Sequence, residues 1–188
     1  MASNSPILLH CYTPGNREKD QERTWEALQA IAESDLDVTV VDAPTDGFTG
    51  YVDQVSRVWD YPGDMIILEQ DLVPAVGDIR NLLDCSHSLC AFGYFLDPFS
   101  TGLPAPVIAH RKIDIKEGIV KWITENEHFS DYVGFGLTKI GLEARLKATV
   151  PPWDKLDYRS LDTFLSAHLR MFNDPWHIHY PCIEHNHK

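Results

Sequence analysis

Positive charge is scarce in this chain of 188 residues, where 16 Lys and Arg stand against 28 Asp and Glu and give a formal net charge of −12. No basic run or stripe interrupts that balance, so non-specific binding to duplex nucleic acid, which needs many phosphate contacts, is not expected. A phosphate-bearing small molecule stays compatible with the acidic field where a divalent cation or a few local Arg or Lys offset it. Long apolar runs are missing too. The longest is about four residues, as at 65–68, against the roughly 18 needed to cross a bilayer, so no membrane span is expected. Residues 1–6 hold no basic residue ahead of an apolar segment. The layout of a signal peptide is absent, and a cytoplasmic location is expected. Cysteine is sparse: Cys11, Cys85, Cys90 and Cys182 form no C-x-x-C pair and read as reduced, mostly structural thiols. Gly and Pro, 11 and 12 in number, form no collagen period or linker, which excludes fibrous and disordered classes.

What is present is one domain's worth of alternating strands and helices. The apolar run 6–12 predicts a buried strand, ended by Thr13-Pro14-Gly15-Asn16. Trp25, Leu28, Ile31 and Ala32 fall at helical spacing within 17–34, and the β-branched run 38–41 predicts a second strand that stops at Asp42-Ala43-Pro44. A helix marked by Tyr51, Val52, Val55, Val58 and Trp59 follows, then a strand at 65–68, a helix at 76–83 and a strand at 89–96. Repeated β-α-β connection predicts an α/β fold with a mostly parallel central sheet covered by helices on both faces. The second half is less regular. It predicts a hairpin or excursion over 98–113, a Gly-punctuated strand or loop over 134–141, helices near 142–148 and 161–172, and a short last strand at 176–180.

Chemistry concentrates in two places. Glu69-Gln70-Asp71 follows the third strand directly, where ligands gather in an open parallel sheet. Residues i and i+2 of an extended segment point the same way, so both carboxylates can address one hard cation such as Mg²⁺ or Mn²⁺, which takes oxygen ligands and bridges a diphosphate. The structural alternative is that Asp71 caps the following helix or ends the strand. The second place is the tail, with two H-x-H pairs, His177 and His179, then His185 and His187. Alternation puts His177 and His179 on one strand face, where a metal or a phosphate meets both; the alternative is a solvated polar tail.

The β-α-β start, the segment Ile67-Leu68-Glu69-Gln70-Asp71-Leu72-Val73-Pro74 and the spaced C-terminal histidines together resemble nucleotide-sugar-dependent glycosyltransferases of the GT-A fold. More narrowly, the chain is similar to small glycosyltransferase-like proteins of bacteria and their phages. The resemblance covers most of the chain. It implies a single GT-A-like, Rossmann-like domain over 1–188, with a nucleotide-binding half at 1–96 and an acceptor- and metal-completing half at 97–188. It further implies a hexosyltransferase-like enzyme that uses Mn²⁺ or Mg²⁺ and a nucleoside-diphosphate sugar donor, with an unidentified acceptor. By the same resemblance Tyr12, Thr13 and Asp42 hold the nucleoside and Arg57 touches the nucleotide. Asp71 binds the metal as the last acid of the family's D-x-D motif, and Glu69 replaces the first acid and reaches metal or sugar. One or more of His177, His179, His185 and His187 adds a metal ligand. The base for the acceptor hydroxyl is Asp157, with Asp154 next, while helix capping is the alternative role for Asp157. Trp153 stacks on a sugar face or packs at the core boundary. Three other classes fit parts of this inventory: a metal-dependent hydrolase, a sugar-nucleotide nucleotidyltransferase, and a catalytically silent nucleotide-sugar-binding module.

Overall fold

The computed structural model describes residues 4–14, 18–45, 50–96, 107–114, 116–124, 127–156 and 161–185. In chain order the elements are β1 (Ile7–Tyr12), α1 (Glu18–Ala32), β2 (Thr39–Pro44), α2 (Gly50–Arg57), β3 (Met65–Glu69), β4 (Leu72–Val73), α3 (Val76–Asp84) and β5 (Leu89–Leu96). The second half adds β6 (Val107–Ile108), β7 (Arg111–Asp114), β8 (Ile119–Trp122), β9 (Phe129–Ser130) and β10 (Leu137–Ile140). It closes with α4 (Leu142–Lys147), one 3₁₀ turn (Trp153–Lys155), α5 (Leu161–Arg170) and β11 (Trp176–His185).

The central sheet runs in the order β2-β1-β3-β10-β5-β11-β4. β2, β1 and β3 are parallel, β5 and β11 are parallel to each other, and both β3 and β5 pair antiparallel with β10. The five strands β2, β1, β3, β5 and β11 therefore point one way, as the repeated crossovers require. The sequence underreads the reversed strand between them. β10 carries Lys139 and is only Leu-Thr-Lys-Ile, yet all four residues are buried. The last strand also runs longer than its apolar run, through a cis Tyr180-Pro181 bond, with a register shift between His179 and Ile183.

Period-two alternation divides the apolar runs between two cores. Ile7, Leu9 and Cys11 of β1 and Met65 and Ile67 of β3 face α2 and α5, meeting Val52, Val55, Leu161, Leu165 and Leu169. Leu8, Ile66 and Leu68 face α1 and α3, meeting Leu28, Ile31, Ile79 and Leu82. That is why 65–68 reads as an unbroken apolar run: both faces of β3 are covered. Arg145 of α4 is buried, and its guanidinium donates to the carbonyls of Trp59, Tyr61 and Gly63, fixing the segment that leads into β3. No helix among the described residues is long and apolar enough to cross a membrane.

Candidate functional site

The register sets His10 opposite Asp42 and Cys11 opposite Glu69, so β1, β2 and β3 finish together along one edge of the sheet. Glu69 is the last residue of β3, and its N–H donates to the Gly136 carbonyl at 2.9 Å. The chain then turns through Gln70 and Asp71 into β4. The middle residue of the triplet holds this turn. Gln70 Oε1 accepts the Thr13 N–H at 2.8 Å and lies 3.3 Å from Gln21 Nε2, while the Thr24 hydroxyl lies 2.9 Å from the Gln70 carbonyl and 3.0 Å from that of Leu72. The two acids are thus mounted on a turn fastened to α1 and to the segment after β1.

A third carboxylate, from a distant part of the chain, acts on Glu69 through its charge. Asp162 lies in the first turn of α5, where Thr163 donates its N–H to Oδ1 at 2.6 Å. Burial pushes the Glu69 carboxyl above the ordinary carboxylate range, and the negative charges of Asp71 and Asp162 add to that. Burial also raises Asp162. Tyr94 of β5 feels the same group: burial first, then Glu69, Asp162 and Asp71, hold its phenol well above its usual value. Arg111 is the cation facing Asp162. Its guanidinium sits 4.9 Å over the Trp122 ring with Nη2 3.5 Å from Thr163 Oγ1, so the β7–β8 hairpin supplies a held positive charge beside the carboxylates.

The Gly134-Phe135-Gly136 segment makes room for this group. A Cβ at Gly134 would lie 2.2 Å from the Tyr94 hydroxyl, and one at Gly136 would lie 2.5 Å from Leu72 and 2.6 Å from the Tyr94 ring. Gly136→Ala is expected to destabilise the fold by about 1–3 kcal/mol, because the buried Tyr94 ring and Leu72 must both shift. Urea unfolding checks this; a loss under about 0.5 kcal/mol, the usual spread of innocuous substitutions, would mean that Tyr94 yields freely.

The residues expected to hold a nucleoside lie on this same edge. Thr13 bonds Gln70, and its hydroxyl is 3.0 Å from that of Thr45. Tyr12 stacks on His10 at 5.0 Å and meets Trp25 edge-on at 5.1 Å. Asp42 is exposed, 3.6 Å from His10 Nδ1, and borders a groove lined by Glu22, Trp25, Glu26, Gln29 and Val40. Burial holds His10 down at about 4, against the raising effect of Asp42, so His10 is neutral at pH 7.

Other expectations fall elsewhere. Arg57 is exposed on the last turn of α2. That helix returns from β2 to the start of β3, which carries Arg57 toward the edge opposite Glu69. Asp154 adjoins Trp153, whose ring packs edge-on against Trp59 at 5.1 Å in the segment before β3, so Trp153 serves the core boundary. Asp157 and His187 lie outside the described residues, and His185, the last residue of β11, is the register partner of Leu72, the residue after Asp71. His177 and His179 do share a strand face. Their ring nitrogens gather with the Cys85 thiol, all within 4.8 Å of one another, and Asp71 is not in that group. Sequence reasoning passed over Asp162, Tyr94 and Arg111. Asp162 carried one signal, an acid one residue into the helix predicted at 161–172.

No family model matches the chain, and no curated protein matches it. Among solved structures it is similar to A197 from STIV, with 11% identity and a TM-score of 0.56 over 93% of this chain and 81% of that one. The likeness is one of fold: a single α/β, Rossmann-like domain.

Proposed function

We propose that the protein is a cation-dependent glycosyltransferase that moves a sugar from a nucleoside-diphosphate sugar to an acceptor hydroxyl. The observation that carries this reading is the pair Glu69 and Asp71 on one turn at the carboxyl end of β3, with the charges of Asp71 and Asp162 both acting on the Glu69 carboxyl; the three do not gather within 4.8 Å as Cys85, His177 and His179 do. Carboxylates that repel one another in this way fit a divalent cation, whose charge offsets that repulsion. Asp71 and Glu69 would hold Mn²⁺ or Mg²⁺ there; when bound, that ion stabilises the negative charge that grows on the departing diphosphate.

The remaining roles belong to the chain's own side chains. Asp42, Tyr12 and the groove beside α1 receive the nucleoside, and Thr13 and Gln70 keep that wall aligned with the acidic turn. The base in this reading is Asp162; Asp154 adjoins the Trp153 ring that packs on Trp59, and Asp157 lies outside the described residues. The Asp162 carboxylate accepts the acceptor's hydroxyl proton as the acceptor oxygen bonds to the anomeric carbon and the bond to the diphosphate breaks. Burial raises its proton affinity, which suits a general base. A base on the acceptor side implies inversion at that carbon. The positive charge of Arg111 acts against the rise from burial and favours the ionised form of Asp162. With Mn²⁺ and a panel of UDP- and GDP-sugars, slow release of free nucleoside diphosphate is expected without any acceptor, because water takes the acceptor's place. Binding of a nucleoside diphosphate with no release from any donor would leave a nucleotide-sugar-binding module instead.

A further inference from the structure

His177 sits toward the end of the sheet away from Glu69. Cys90 and His177 are register partners on β5 and β11, and Leu89 is level with Ile140 and through it with Met65, the first residue of β3. Cys85, just past α3, comes to the same place. Its Sγ lies 3.5 Å from His177 Nδ1, and one ligand atom each from Cys85, His177 and His179 falls within 4.8 Å of the others. Across a tetrahedral Zn²⁺, with Zn–S near 2.3 Å and Zn–N near 2.0–2.1 Å, sulfur and nitrogen ligands stand about 3.5 Å apart. His179 carries a second indication: its Nε2 is closed off from solvent with no hydrogen-bond partner among the described residues.

We propose that Cys85, His177 and His179 form a Zn²⁺ site that fastens the last strand to the end of α3, separate from the carboxylate site and chemically unlike it. A thiol and two imidazoles are soft and borderline ligands that select zinc over the hard Mg²⁺ or Mn²⁺. The surroundings hold each ligand in place. The Lys139 ammonium donates to the Cys85 carbonyl at 2.8 Å, the His87 ring stacks on His177 at 4.5 Å, and Phe92 stacks on His179 at 5.2 Å. Such outer contacts orient metal ligands. All three ligands are half-buried, which leaves the fourth position to water. The role is structural. β11 pairs with β5, β4 and β9, so a metal at its start joins the C-terminal segment to the sheet and to α3 together.

The test strips the full chain with a chelator and titrates it with Co²⁺ as a spectroscopic probe, then with Zn²⁺ followed by elemental analysis. One Zn²⁺ per chain, a thiolate-to-cobalt charge-transfer band and a higher melting midpoint with metal are expected. Cys85→Ser should abolish the band, and His177→Ala or His179→Ala should each weaken Zn²⁺ binding at least about tenfold. Cys182→Ser and Asp71→Asn should leave it unchanged, which separates this site from the proposed donor site. A wild-type titration without the band, or a band that survives Cys85→Ser, would overturn the assignment, and the wild-type spectrum decides thiolate ligation without requiring any variant to fold.

Discussion

Asp162→Asn is expected to lower sugar transfer by about 10²- to 10⁴-fold, the usual contribution of a positioned general base, with donor affinity nearly unchanged. The amide keeps the shape of the carboxylate and can still accept the Thr163 N–H that now holds Asp162 at 2.6 Å. What it loses is the capacity to take a proton. The loss should therefore fall on kcat, and the acidic limb that Asp162 gives the pH–rate profile should disappear. Asp154→Asn serves as the comparison, because Asp154 adjoins the Trp153 ring that packs on Trp59 at 5.1 Å, away from Glu69. Transfer at the wild-type rate by folded Asp162→Asn would remove this residue from the chemistry.

Asp71→Asn should abolish cation-dependent donor binding and, in metal-free buffer near neutral pH, make the protein more stable. Both effects follow from one arrangement. The Glu69 carboxyl is raised by burial, then by Asp71 and Asp162, so the folded chain holds that proton more tightly than the unfolded chain does. A raised carboxyl makes stability fall as pH climbs from the ordinary carboxylate value through the raised folded value. Removing the Asp71 charge brings Glu69 back toward its usual value and flattens that fall. Saturating Mn²⁺ should do the same for the wild type and nothing for the variant. Melting midpoints between pH 5 and 8, with and without Mn²⁺, read both arms, and a wild-type curve indifferent to Mn²⁺ would count against cation binding at this turn. Glu69→Gln should weaken binding less than Asp71→Asn.

How much of this was legible in the sequence depended on whether the signal was local. β1, α1, β2, α2 and β3 follow from apolar periodicity and turn residues, because each is a run whose burial is written in consecutive positions. The acidic triplet was visible for the same reason: three adjacent residues at a strand end. β10 was only half legible, since burial of Lys139 depends on the Cys85 carbonyl, 54 residues away, which accepts its ammonium. The proposed base, Asp162, carries no strong local signal for a similar reason. Asp154, Asp157 and Asp162 look alike as acids near a helix start, and what singles out Asp162 is that α5 returns to the carboxyl edge of the sheet. His177 and His179 were rightly placed on one face, but their neighbour Cys85 lies 92 residues from His177, so no spacing rule could pair them. Tyr94 and the glycines that admit it are a matter of packing across three strands.

The proposed activity requires a nucleoside diphosphate to bind beside Asp71 through a divalent cation. Calorimetric titration of the wild-type chain with UDP and with GDP, in Mn²⁺ and again in excess chelator, tests this most directly. Binding of at least one of the two in Mn²⁺, and at least about 100-fold weaker binding in chelator, is the result expected when a cation joins two sets of anionic oxygens that otherwise repel. Equal binding in the two buffers would contradict it.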